Sequence, residues 1–439
     1  MQSLNLSQVQ FTNQSDVVNP GTEIFNPKFF YVDTFKGNDQ IIGTGNLTGD
    51  FALSAFVASA ANGGTAIANA NLSGKATLAV DAMKNEGTIY TNDGNDIVKG
   101  SATAKIAATA ATMSQVIAIA NSANASAIAS AFANLNIKAT AEGIDNSGGW
   151  INSGKGSDTI EGNLIGSVAA VAMATADASA IVDAICKAPM SEGLTAFAYA
   201  IATSLAQATI SATAIKNAGG IITCDKGKDT ISASATSSAG AFAGVYGSSF
   251  ASATPENQAL AMAVANASAK AYDQAIAIDN KWGVIVTGTG DDTIEATAKA
   301  SNKAIAIDNV TGSITTGDGK DTIIAQATGA NSYGIVGGFV DMGKGDDRLL
   351  ASNFAGGVTI QMGEGKDFVQ GFGNATVDGG KESDILSLGS YNRNSFKITF
   401  GANNGANFQL DGITMTTTGF EQFQFAGGVT YTYNQLIAA

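Results

Sequence analysis

Histidine is absent from all 439 residues, arginine occurs only as Arg348 and Arg393, and there are four prolines and two cysteines. Without His the commonest general base and the commonest zinc ligand are gone, and with them Ser-His-Asp, Cys-His and HExxH chemistry. The chain is therefore read as non-enzymatic. Cys186 and Cys224 fit no Cys-x-x-Cys redox or metal pattern; they form a disulfide if the fold brings them together, or serve as two small buried residues, the plainer reading. Positive charge is short as well. A net charge of −14 and a pI near 4.4 disfavour nucleic acid and anionic membranes and suit cation binding. No stretch approaches 18 uninterrupted apolar residues, so no membrane insertion is expected. Residues 1–34 lack a positive segment followed by an apolar core, so no cleaved secretory peptide is expected.

What the chain does contain is one unit stated many times. Residues 277–294 read AIDNKWGVIVTGTGDDTI and residues 306–323 read AIDNVTGSITTGDGKDTI. In both copies an Asn (Asn280, Asn309) precedes an Asp (Asp292, Asp321) by 12 residues. The turn aspartates recur as Asp39, Asp96, Asp158, Asp229, Asp292, Asp321, Asp347, Asp367 and Asp384. Gly stands two residues before each except Asp384, where Glu382 intrudes, and an aliphatic residue stands two after each, from Ile41 and Val98 to Val369 and Leu386. Self-similarity of this kind signals a solenoid. Glycine reaches positive φ at little cost, so Gly-x-Gly turns the chain sharply. The Asp then offers an oxygen to one side, and the aliphatic residue points into a core.

Gly-x-Gly-x-Asp-x-aliphatic resembles the glycine- and aspartate-rich nonapeptide of the RTX, or hemolysin-type calcium-binding, family, whose repeats wind into a parallel β-roll. The nearest matches are residues 153–160, 287–294, 316–323, 342–349 and 362–369. The resemblance implies calcium as the cofactor and makes Asp158, Asp292, Asp321, Asp347 and Asp367 its ligands, with Asp39, Asp96, Asp229 and Asp384 as further candidates at the same motif position. Family repeats follow one another every nine residues, a coil of about 18. The Asp-to-Asp steps here are 57, 62, 71, 63, 29, 26, 20 and 17, so the upstream chain is read as a wider solenoid keeping one such turn per coil or per pair of coils.

Those wide steps are filled with alanine, whose intrinsic preference is helical. The pattern is not: Ala196, Ala198, Ala200 and Ala202 alternate, as do Ala261, Ala263, Ala265, Ala267, Ala269 and Ala271. A period of two predicts strands with Ala on one face and two closely approaching sheets. Asn146 and Asn217 precede their aspartates by 12 as Asn280 and Asn309 do, and Asn85 precedes Asp96 by 11, which predicts an amide ladder in preference to a ligand role. Trp150 and Trp282 are read as surface residues or as a sugar platform. The expected architecture is all-β: a right-handed parallel β-helix or β-roll solenoid with terminal caps. Its parts are an N-terminal cap or assembly segment with Phe25, Phe29, Phe30, Tyr31 and Phe35 (1–34), a wide Ala-rich solenoid (35–310), a calcium-binding roll (311–388) and a C-terminal β cap (389–439). The last part is similar to the cap and uncleaved type I export signal that follow such repeats, which implies a secreted, extracellular or cell-surface protein. Bacterial exoproteins, cyanobacterial ones among them, resemble it.

Carboxylates stacked about 5 Å apart repel by roughly 3 kcal/mol per step at an effective dielectric near 20, so something must neutralise them. Calcium suits all-oxygen sites; Lys36, Lys155, Lys226, Lys228, Lys320, Lys344 and Lys366 in the same turns are the rival. Calcium is expected in the last four or five turns, and lysine-compensated or hydrated turns upstream. The functional expectation is a secreted, calcium-binding structural protein that associates with itself into a filament, sheath or surface layer. The alternatives are an adhesin contacting cell-surface polysaccharide and a β-helix polysaccharide lyase or epimerase; scarce arginine and evenly spread motifs disfavour the last.

Overall fold

The computed structural model describes residues 3–120, 124–182, 195–253 and 258–438. The chain winds as a parallel β-solenoid built from two large sheets. One coil shows the plan. After the turn at Asp158 a forward strand, Thr159–Val182, leads away from the turn, and a return strand, Thr195–Lys216, leads back. A bend at Asn217, a short strand Ile221–Thr223 and the next Asp turn close the coil.

Successive coils stack in unbroken register. Thr159–Val182 pairs parallel with Ile97–Ala120 on one side and Thr230–Ala253 on the other, all 24 residues long. At about 3.3 Å per residue such a strand reaches about 80 Å. The return strands Gly64–Asn85, Ala125–Asp145, Thr195–Lys216 and Gln258–Asp279 form the second layer of the same slab.

Alanine is what makes the slab thin. Inward positions such as Ala129, Ala172, Ala200 and Ala212 are completely buried. Single serines span the gap: Ser114 Oγ donates to the carbonyl of Ala68 at 2.7 Å and Ser204 Oγ to that of Ala172 at 2.6 Å, each across to the other sheet. A side chain two bonds long can bridge two backbones only if the sheets lie well inside the usual ~10 Å.

Near the Asp turns the coil opens enough for branched side chains. Ile41, Val98, Ile160, Ile231, Ile294 and Ile323 stack in one buried column, Ile89, Ile151, Ile222, Ile285 and Ile314 in a second, and Met83, Ile144, Ile215, Ile278 and Ile307 in a third. The long strands end at Asp279; from Val284 onward the strands have mostly three to eight residues and the same three columns continue in a narrow roll. The narrowing thus sets in ahead of residue 310.

The ends differ. Residues 397–418 form an antiparallel meander whose last strand joins Gly373–Asp378, while Gln422–Phe425 extends the other sheet beside Ile385–Ser387. Phe396, Phe408, Phe420, Phe423 and Phe425 fill the space beneath, each at most 6% exposed. At the other end Leu4–Asn5, Val17–Val18, Ile24–Asn26 and Tyr31–Asp33 make a partial coil over the turn end of the slab alone. Of the N-terminal aromatics, Phe29, Tyr31 and Phe35 stand exposed on it.

Candidate metal centre

The nine turn aspartates form one continuous column. Asp39 N–H donates to Asp96 Oδ1 at 2.7 Å, Asp96 to Asp158 at 2.8 Å, Asp158 to Asp229 at 2.9 Å and Asp229 to Asp292 at 2.8 Å. The same bond at 2.8 Å links Asp292 to Asp321, then Asp347, Asp367 and Asp384. The steps of 57 to 71 residues are therefore single coils, and the wide turns are as adjacent as the narrow ones. The reading of one turn per pair of coils does not hold, because forward and return strands of equal length bring the chain back to the same place whatever the coil's width.

The glycine two residues earlier is what allows this closeness. A Cβ on Gly94 would lie 1.5 Å from the carbonyl oxygen of Gly37, and one on Gly290 would lie 1.4 Å from that of Gly227, at φ of +159° and +138°. No side chain fits there. Glu382, at φ +75°, breaks the rule near the end of the column and accepts the Gly365 N–H through Oε2 at 2.8 Å.

Each aspartate thus uses Oδ1 and leaves Oδ2. The Oδ2 atoms of all nine residues are buried without a hydrogen-bond partner, and the residues are at most 1% exposed. A buried, unpaired carboxylate oxygen is costly. Burial, with neighbouring carboxylates adding to it, pushes Asp96, Asp229, Asp321 and Asp367 up to about 6, Asp158 and Asp384 to about 7 and Asp347 to about 8. Asp292 is raised for the same reason, and the N–H each carboxylate accepts works in the opposite direction.

Lysine is not what compensates them. Among the described residues no ion pair involves a column aspartate; the turn lysines point outward to other carboxylates, Lys155 to Asp93 at 3.6 Å, Lys320 to Asp346 at 3.1 Å and Lys344 to Asp318 at 3.4 Å. The expected lysine compensation upstream is replaced by the same inward column found in the roll, because the N–H ladder fixes every carboxylate inward.

Two further residues continue the pattern. Asp384 N–H donates to Glu421 Oε2 at 2.9 Å, and Asp16 N–H donates to Asp39 Oδ1 at 2.7 Å. Glu421 carries the motif spacing, with Gly419 two before and Phe423 two after, but with Glu in place of Asp; Asp16 has Val18 two after and Gln14 where Gly belongs.

The Asn column is a ladder. Asn26 Nδ2 donates to Asn85 Oδ1 at 2.7 Å, and Asn85, Asn146, Asn217, Asn280 and Asn309 follow at 2.6–2.8 Å. The second amide hydrogen goes to a backbone carbonyl, as Asn146 to Ile221 at 3.1 Å, so these amides are spent on structure. Asn26 stands 13 residues before Asp39 and Asn85 11 before Asp96, against 12 for the other four. Trp150 and Trp282 are exposed, 42% and 73%. Cys224 is buried and, among the described residues, has no partner thiol; Cys186, and with it the disulfide reading, lies outside them.

The structure also gathers carboxylates that no motif announces. Asp81, Glu142 and Asp145 bring oxygens within 4.8 Å of one another. Lys216 Nζ lies 3.0 Å from Glu142 and 3.7 Å from Asp145 and supplies the countercharge.

The donor set of the Asp column, buried carboxylate oxygens repeated coil after coil beside glycine carbonyls, is all-oxygen and anionic, which fits a hard divalent cation. No protein-family model matches the chain, and no curated protein matches it in sequence.

Proposed function

We propose that this is a secreted structural protein that takes up calcium along its aspartate column and associates with itself into a filament, sheath or layer at a cell surface or in an extracellular matrix. One observation carries the reading: the nine buried, unpaired Oδ2 atoms in a single file. A column of ionised carboxylates without cations opposes folding, and cations that bind only the folded chain stabilise it by mass action. Calcium would be held by the Oδ2 atoms, and what it supplies is neutralisation of the column. The resemblance to RTX proteins in residues 287–369 supports the same cation. Spread over the whole chain, such a column serves rigidity.

The test is calorimetric titration of the full chain with calcium, paired with negative-stain microscopy in millimolar calcium and in excess chelator. Saturable binding of several ions and ordered assemblies that dissolve on chelation are expected. No binding, with monodisperse particles in both conditions, would overturn the proposal.

A second reading, glycan adhesion, is favoured by the narrow face. Tyr31, Thr88, Tyr90, Trp150 and Asn152 line a shallow depression of about 190 Å³, with two tyrosines and the Trp150 indole around it. Loss of polysaccharide binding in Trp150→Ala with calcium uptake unchanged would support it; no binding to any glycan tested would remove it.

A further inference from the structure

The slab has two terminal edges, and the described residues cover only the turn end of each. On the C-terminal side Thr230–Ala253 pairs with the next coil only over Thr230–Thr236, and Gln258–Asp279 only over Gln274–Asp279. Ser301 and Asn302 of the narrow coil donate their N–H groups to Asp273 at 2.7 and 2.8 Å, which marks where the roll stops. Among the described residues nothing pairs with 237–252 or 259–272 on the side away from the preceding coil. Two parallel stretches of about 50 Å therefore present unpaired backbone groups side by side.

Nothing in these stretches blunts the edge. Residues 237–252 contain no charged residue and no proline, and residues 259–272 contain only Lys270, in a chain of net charge −14. Natural edge strands are ordinarily protected by charge, proline or bulges. The inner layer is open too: Ala261, Ala263 and Ala265 are exposed, whereas their register partners one coil earlier, Ala198, Ala200 and Ala202, are completely buried.

The N-terminal edge is different. There the inward positions carry Phe51, Leu53 and Val57, opposite Ala108, Ala110 and Ser114 of the next coil. Leu53 reaches across to the return strand, where its Cδ1 lies 2.8 Å from a Cβ built on Gly74, and Ala66, Ala68 and Ala70 stay buried at 1–2% although they belong to the terminal coil. That edge covers its own interior. The C-terminal edge does not.

We propose that the C-terminal edge binds a second copy of itself through a two-fold axis normal to the slab, 237–252 pairing antiparallel with 237–252 and 259–272 with 259–272. This names the contact behind the self-association proposed above and rests on that reading. Three features select the arrangement. A thin interior lined by Ala, Gly and Ser accepts only an equally thin partner, which the same edge supplies. The midpoints coincide, since a Cβ on Gly247 would lie 3.3 Å from Val264 O and 3.7 Å from Ala263 Cβ, so one axis serves both sheets. Shape does the rest. Six carboxylate-bearing turns from Asp292 to Glu421 raise the roll about 25–30 Å above the edge at about 4.8 Å per step. A head-to-tail neighbour, translated along the axis, would be held off by that roll. In the two-fold pair the two rolls stand at opposite ends of the shared edge and the described free stretches lie along one another. Their joint footprint is on the order of 1,000 Å², near the lower end for a stable pair, before the exposed Phe242, Tyr246, Phe250, Leu260 and Met262 are counted.

Sedimentation velocity on the full chain tests this, with Ala263→Lys/Ala265→Lys as the blocking variant and Ala60→Lys on the opposite edge as the control. The wild type and the control are expected to sediment as dimers or larger, and the double variant as a monomer with unchanged circular dichroism. With Cys186 and Cys224 replaced by serine, Gly244→Cys at the centre of the stretch is expected to cross-link to itself on oxidation at least tenfold faster than Ser238→Cys at its end. A monomeric wild type, a double variant that still dimerises, or equal cross-linking at both positions would overturn the proposal. Dimers that persist in chelator while calorimetry shows no calcium uptake would leave it standing and remove the calcium reading. Calcium uptake by a strictly monomeric chain would do the reverse.

Discussion

The slab and the roll share one end and differ at the other. In both, the Asp column repeats with N–H to Oδ1 bonds of 2.7–2.9 Å, and the three aliphatic columns continue beside it. Yet a slab coil runs 57–71 residues and a roll coil 17–29. Coil length is thus free and turn geometry is not. Inserting residues in even numbers into forward and return strands preserves which face each side chain takes, and Ala keeps the added section thin. The slab gains area cheaply in sequence terms but buries only methyl groups there, whereas the roll buries Ile, Val, Leu and Met around every coil. Stability per residue should therefore be concentrated at the turn end, where each branched side chain contributes about 1.5–3 kcal/mol.

If the two regions share one turn, breaking it should hurt them equally. Gly227→Ala in the slab and Gly345→Ala in the roll each place a Cβ 1.5 Å from the previous glycine's carbonyl oxygen, at φ of +150° and +136°. Both are expected to cost about 4 kcal/mol or more, read as loss of the cooperative unfolding transition in guanidinium. Tolerance of the slab variant alone would show that the wide turns are not the same structure.

The column's protonation ties stability to pH in both regions. Burial pushes seven of its carboxylates, Asp96, Asp158, Asp229, Asp321, Asp347, Asp367 and Asp384, to about 6 to 8 in the folded chain, above the usual carboxylate range. A raised folded pKa contributes stability that is complete below the unfolded value near 4 and is lost as pH rises through 6 to 8. In chelator the denaturant midpoint should fall from pH 5 to pH 8, and calcium should flatten the dependence. Asp347 stands at about 8 and Asp96 at about 6, so amide exchange should accelerate at the Asp96 turn at a lower pH than at the Asp347 turn. A midpoint that rises with pH would show that the column is ionised and paired without added cation.

The regions also fail in opposite ways when repacked. Ala200→Val overfills the slab and is expected to cost about 1–3 kcal/mol, while its register partner at the open edge, Ala263→Val, should cost a few tenths or nothing unless the edge is occupied. Ile323→Ala empties the roll and is expected to cost about 2–5 kcal/mol. Denaturant midpoints of the three variants measure this.

Most of the turn end was legible in the sequence because seven consecutive residues specify it, and the alternation of Ala196 to Ala202 decided strand over helix. What escaped was long-range register. That Asp96 sits on Asp158 after 62 residues depends on equal strand lengths, which no local pattern states. The same holds for Asp81, Glu142 and Lys216, brought together from three coils. Glu421 and Asp16 escaped for a smaller reason, one substituted position each in an otherwise intact spacing. The lysines misled because proximity in sequence says nothing of direction: the residue before the column Asp points out wherever the Asp points in.

The smallest effect concerns a column five residues before each Asp, where Thr34, Thr91, Ser153, Cys224, Thr287 and Thr316 follow one another. Thr34 Oγ1 donates to Thr91 O at 3.0 Å, Thr91 to Ser153 O at 2.9 Å, Thr287 to Thr316 O at 3.0 Å and Thr316 to Met342 O at 2.6 Å. The slab interrupts this hydroxyl ladder at one place: Ser153 Oγ is buried without a partner and Cys224 follows it. Burial pushes the Cys224 thiol well above its ordinary range, so it stays a neutral, unreactive thiol. A thiol is a weak donor where its neighbours place a strong one. Cys224→Thr should let the new hydroxyl donate to Thr287 O, worth about 0.5–1.5 kcal/mol, raising the denaturant midpoint slightly. Cys224→Val has nearly the same shape without the donor and should give no gain. Equal midpoints for the two variants would assign the column's preference for Thr to shape, and the ladder of hydroxyls would then be a by-product of packing.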